Sequence, residues 1–139
     1  MKKYAIVCAE SAQFESKSKI LILDPGSIHG AIEPLLKEGT SYFLCSAKPG
    51  AEAQIALFLL KKRAEGFPIF LELVIEDELI FTSWNETDRD IFFHVCEHCD
   101  KETLLAHCPT SNTKSAYFHY MEKASNKVLL LPSCPKSAS

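Results

Sequence analysis

Ser46-Ala47-Lys48-Pro49-Gly50 is the segment whose residue types point most directly to chemistry. It joins the apolar run Ser41 to Cys45 to a helical pattern that opens at Ala51, and Gly50 permits close approach to the backbone. The first N–H groups of a helix point at whatever lies ahead of them. This turn therefore suits an anion such as phosphate, with Lys48 adding positive charge. The plainer alternative is that Pro49-Gly50 only reverses the chain between strand and helix. Glu52 in the first turn, together with Glu10 after the first apolar run, supplies carboxylates for acid–base work or for holding a ribose. The simpler role for Glu52 is to complement the helix dipole.

A second group of residues suggests metal. His94, Cys96, His98 and Cys99 lie close together, His107 and Cys108 follow, and Cys-x-x-Cys is a usual zinc half-site. A second Cys-x-x-Cys is not present to complete it. On a helix, Cys96 and Cys99 share one face and His94 and His98 another, so the two pairs do not close one tetrahedron. Core cysteines and surface histidines account for the pattern better, and no metal ligand or cofactor is assigned. Cys8 and Cys45 read as packing residues at strand ends. Cys45, close to a helix start, is the one place where a lowered thiol pKa is to be sought.

These residues have to be positioned by an alternation of strands and helices. Tyr4 to Cys8 is short and continuously apolar, as a strand buried on both faces is. Further strands are expected at 41 to 46, 69 to 75, 102 to 106 and 127 to 131. Ile20 to Leu23 is extended or helical, and the pattern does not decide which. Ser27 is a good N-cap for a helix with Ile28, Ala31, Ile32, Leu35 and Leu36 on one stripe, ended by Gly39. A helix from Ala51 to about Ala64 carries Lys61, Lys62 and Arg63 in its last turn. Ser83-Trp84-Asn85-Glu86 reads as a capping box for a helix to about Cys99, and Ser115 to Ala124 as a last helix.

The expected fold is α/β: a three-layer, Rossmann-like domain with a mainly parallel five-stranded sheet in the order 3-2-1-4-5. Residues 1–132 form that single domain and 133–139 a flexible tail. In such a sheet ligands bind beyond the carboxyl ends of the strands, at the point where the order reverses. The loops at Ala9-Glu10-Ser11, Ser46 to Gly50 and His107 to Lys114 would share that crevice.

Composition bounds the function. The chain has 139 residues, of which 47% are hydrophobic and 24% charged, enough for one ordinary core. A net charge of −3 argues against an extended surface for nucleic acid. The opening MKKYAIVCAESA imitates an export signal, but its apolar run ends early at Glu10, so it reads as mature sequence. No apolar stretch reaches membrane-spanning length. The six cysteines are then expected as reduced thiols, and the protein as soluble and cytoplasmic. A homo-oligomer is compatible with this reading.

The stretch from Gly39 to Ala56, with Thr40, Ser46, Lys48, Gly50 and Glu52 at its marked positions, resembles the "G-T-x-F-x-x-G-x-A-x-G-x-D-x-x-A-A" signature of YspA-like members of the SLOG superfamily. That superfamily also holds Smf-type DNA-processing proteins and the "lonely guy" phosphoribohydrolases. The likeness continues through Trp84 and Asp88-Arg89 and from Ser115 to Leu131. It implies a pocket for a nucleotide or nucleotide-derived ligand, and carries over to Ser46, Lys48, Gly50 and Glu52, with Ser11 added by its position. This chain has Ser46 for a family glycine, Glu52 for an aspartate and Ser115-Ala116 for an Arg-Asn pair. It lacks the "G-G-G-x-G-T-x-x-E" segment, so a binding pocket is implied more than that hydrolysis. The expectation is a domain that binds, senses or processes a small nucleotide-like ligand, with no reaction assigned. The alternative is a zinc-binding or protein-interaction module centred on His94 to Cys108.

Overall fold

The computed structural model describes residues 2–9, 14–23, 28–39, 41–77, 79–105 and 113–131. They form an α/β fold around a six-stranded, all-parallel sheet. The strands are β1 (Lys2–Cys8), β2 (Ile20–Ile22), β3 (Ser41–Cys45), β4 (Ile69–Ile75), β5 (Lys101–Leu104) and β6 (Lys127–Leu131). The helices are α1 (Ile28–Lys37), α2 (Ala51–Ala64), α3 (Glu86–His98) and α4 (Thr113–Ala124).

Alternation along each strand divides the core in two. Tyr4, Ile6, Phe43, Cys45, Leu71, Leu73, Leu129 and Leu131 face α1, α2 and α3, meeting Ile32, Ile55, Leu59 and Phe92. Ala5, Val7, Tyr42, Leu44, Val74, Val128 and Leu130 face α4, meeting Tyr117, Phe118 and Met121. The helices that carry the chain from β2 towards β5 thus lie on one face, and α4, which brings it back, lies on the other, as crossovers of a single hand require.

Strand order departs from 3-2-1-4-5. It runs β2-β6-β1-β3-β4-β5, so Ile20–Ile22, which the sequence left open, is a sixth strand at one edge. The expected neighbour of β1, the strand near Thr103, instead lies at the opposite edge beside β4. Its place next to β1 is taken by β6, in the register Ala5↔Val128 and Val7↔Leu130. The residue types explain the exchange: Lys101-Glu102-Thr103-Leu104 carries the charges that protect an edge, while Val128 to Leu131 is apolar and buried on both faces. β1 is interior, as expected. Ala106 and the residues from 132 onward, including the proposed tail, lie outside the described residues.

Two local details adjust the helix starts and interiors. α3 is capped by Asn85, whose Oδ1 accepts the Asp88 N–H at 2.8 Å. Ser83, the expected cap, instead ends a 3-10 turn from Ile80 to Ser83. Pro34 sits inside α1, where it lacks the N–H that would bond the carbonyl of Gly30. Gly30 is exposed, so water can serve that carbonyl. Gly39, at φ +122°, follows the end of α1 in a conformation that favours glycine.

Buried carboxylates fasten α4 to the sheet and to the segment between β1 and β2. Glu72, in the middle of β4 and 2% exposed, accepts hydroxyls from Tyr42 on β3, Thr103 on β5 at 2.6 Å, and Tyr120 on α4. Burial pushes its carboxyl up, but these three hydroxyls outweigh that and hold it below the usual carboxylate range. Glu122 on α4 accepts the N–H groups of Glu15, at 3.1 Å, and Ser16, tying down the segment that follows β1. Its carboxyl is lowered in the same way, burial opposing and the bonds from Ser16 and Glu15 prevailing.

A folded-state pKa below the unfolded one gives stability that is complete above the unfolded value and lost as pH falls through the folded one. The melting temperature is therefore expected to drop on acidification below the ordinary carboxyl value of 4.5. Glu72→Gln should melt lower at neutral pH and show a shallower acid dependence. Thermal melts from about pH 7 to about pH 3 check this, and identical slopes for the two proteins would contradict it.

Candidate functional site

At the carboxyl ends of the central strands the chain diverges. After β1 it passes to the α4 face, where Phe14 packs, and after β3 to the opposite face through α2. This divergence makes the crevice in which open α/β sheets bind ligands. The residues that line its β3 side are those of the turn from Ser46 to Gly50.

That turn is built around an inward carboxylate. Glu52, in the first turn of α2, is 5% exposed. Its Oε1 accepts the Cys8 N–H at the end of β1 (3.2 Å), and its Oε2 accepts the Ser46 hydroxyl and, at 3.3 Å, that of Tyr117 on α4. One side chain thus joins β1, the end of β3, α2 and α4. The Lys48 N–H in turn donates to Ser46 Oγ at 3.2 Å. Ala47 is held at φ +57°, which is unusual for a residue other than glycine.

The outward side of the turn is differently equipped. Gly50 is the N-cap of α2 at φ +105°, and Pro49, Gly50 and Ala51 are exposed. The Ala53 N–H donates to the Lys48 carbonyl at 3.0 Å and that of Gln54 to Gly50 at 3.1 Å. The N–H groups of Gly50, Ala51 and Glu52 lie ahead of these bonds, and the Glu52 carboxylate is spent on the inner hub. Lys48 stands at the rim, its Nζ 2.5 Å from Glu76 Oε1 at the end of β4 and 4.4 Å from the Tyr117 ring centroid.

The structure thus brings Ser46, Lys48, Gly50 and Glu52 into one turn, with Ser46 and Glu52 inside it and Lys48 and Gly50 at its surface. Ser11 and Glu10 lie outside the described residues, as do residues 106–112 of the third expected loop. β5, which that loop follows, is an edge strand beside β4 and not a neighbour of β1.

Cys45 is not an activated thiol. Burial first, then the charge of Glu52, pushes it far above the usual thiol value, and a buried neutral thiol is a packing group. Tyr117 is likewise raised well above its usual value, by burial and then by Glu52. It therefore remains a hydroxyl donor.

The histidines and cysteines of α3 separate as the helical spacing predicts. His94 and His98 are exposed, while Cys96 and Cys99 pack against the core beneath α3. Burial, then the charge of Glu102, pushes the Cys96 thiol up to about 12. No three His, Cys, Asp or Glu residues converge among the described residues, and His107 and Cys108 lie outside them. Trp84 meets Phe92 edge-on, a packing role.

Two members of the crevice were not anticipated. Glu76 directly follows the apolar run of β4, and an acidic residue at a strand's carboxyl end is a signal that can be read from sequence. Tyr117 lies 65 residues from its acceptor, and nothing local announces that bond. No protein-family model matches the chain, and no curated protein matches it. No helix among the described residues is long and apolar enough to cross a membrane.

Proposed function

We propose that the β1/β3 crevice binds a nucleotide or nucleotide-derived ligand, with a phosphate seated at the start of α2. The observation that carries this reading is that the Glu52 carboxylate turns inward, away from the start of α2, where Gly50 and Ala51 are exposed. A phosphate there gains the N–H donors of the helix start and the helix dipole. Lys48 meets it by exchanging Glu76 for the incoming anion. Ser46 contributes through its hydroxyl only by giving up Glu52, so its principal service is to hold the turn in shape. The likeness of residues 39 to 56 to the YspA-like SLOG signature supports the same ligand class, and the divergent member it implies retains the pocket with an altered polar lining. The reading is one of binding, with no reaction assigned.

A thermal-shift screen of nucleoside mono- and diphosphates and sugar phosphates tests this. A ligand held at about 100 times its dissociation constant adds about 2.7 kcal/mol, a rise of several degrees for a chain of this size. At least one phosphate-bearing compound is expected to give that rise while the matching nucleoside without phosphate gives less. No shift with any phosphate compound, or equal shifts with and without the phosphate, would remove the basis for the reading.

A further inference from the structure

We propose that His94 and His98 form a two-histidine chelating site for a divalent transition-metal ion on the exposed face of α3, apart from the β1/β3 crevice. The two residues stand at i and i+4, and their ring centroids are 4.4 Å apart with planes inclined by 34°. Histidines at this helical spacing share one face and reach a single ion.

A hydrogen bond prepares one of the rings. His98 Nδ1 lies 2.9 Å from the His94 carbonyl oxygen. A carbonyl only accepts, so Nδ1 carries the proton and Nε2 of His98 keeps its lone pair for a ligand. A metal-bound histidine is typically oriented in this way, by a backbone carbonyl on its other nitrogen.

The surroundings leave room for the rest of the shell. The rings border a depression of about 390 Å³ between α2 and α3, floored by Leu57 and Leu60. No third His, Cys, Asp or Glu converges on the pair among the described residues, so water completes the coordination. Two cations share the depression. Arg63 is already occupied by Asp100 at 2.6 Å and by the His98 carbonyl, and Lys61 is exposed and able to turn away. Imidazole donors with open water positions suit copper, nickel and zinc, whereas magnesium prefers oxygen.

Calorimetric titration of the full, tag-free chain with Cu²⁺, Ni²⁺, Zn²⁺ and Mg²⁺ tests the site. We expect one transition-metal ion per chain, Cu²⁺ tightest, and no Mg²⁺ binding. His94→Ala and His98→Ala should each weaken binding by at least about tenfold. A Cys96→Ser/Cys99→Ser double variant and a His107→Ala/Cys108→Ser double variant should bind as the parent does. All variants are checked for fold by circular dichroism, and both histidines are exposed, so their replacement leaves the core intact. No binding by the parent chain, unchanged binding in either histidine variant, or loss confined to the cysteine or His107/Cys108 variants would overturn the proposal.

Discussion

Glu52→Ala is expected to be the most destabilising single change in the crevice, lowering stability by about 3–5 kcal/mol, a large part of the roughly 5–15 kcal/mol of an ordinary domain. The variant removes the acceptor shared by three donors, the Cys8 N–H and the hydroxyls of Ser46 and Tyr117, of which the two hydroxyls keep each other as partners. Each buried donor left without an acceptor costs about 1–3 kcal/mol, and the costs do not add in full because the cavity partly relaxes or admits water. Glu52→Gln is the informative partner. It keeps the volume and one acceptor oxygen but sets an NH2 against groups that also donate, so it should lose clearly less than alanine does. Chemical denaturation of the three proteins measures this. An alanine variant within about 0.5 kcal/mol of the parent would show that Glu52 is no hub.

What the sequence revealed follows from how local each signal is. β1, β3, β4 and β6 are legible because an apolar run of strand length between turn residues has few other readings. β2 is three residues long, too short for a periodicity to tell strand from helix. The order of the strands is not a local property: β5, expected beside β1, lies at the edge, and the charges of Lys101 and Glu102 are a local trace of that place. Glu72 also left a trace, since an acid in the middle of Ile69-Phe70-Leu71-Glu72-Leu73-Val74-Ile75 must find partners if both faces are buried. Which partners it finds depends on α4, far along the chain.

Glu52 shows the limit most plainly. A glutamate in the first turn of a helix looks the same whether it caps that helix or turns away from it. The spacing that placed Ser46, Lys48, Gly50 and Glu52 in one turn could not say which of them face inward. Only the meeting of β1, β3 and α4 decides that the carboxylate points in, away from the exposed start of α2.

That outward face is the central claim, and Ala51→Asp tests it most directly. Gly50 is less useful, because at φ +105° any larger residue strains the backbone and confuses loss of fold with loss of binding. Ala51 is exposed in the first turn of α2, where an acidic side chain favours the helix by about 0.3–1 kcal/mol. The same carboxylate would stand where the phosphate is to sit. Two unit charges about 4 Å apart repel by about 1 kcal/mol in water and about 4 kcal/mol near a protein surface, so affinity should fall by roughly tenfold or more. The measurement is calorimetric titration of the parent and Ala51→Asp with nucleoside monophosphates, nucleoside diphosphates and ribose phosphate. The account predicts saturable binding by the parent, weakened at least about tenfold in a variant that melts no lower. A parent that binds none of these compounds, or an Ala51→Asp variant that binds as tightly as the parent, would contradict it.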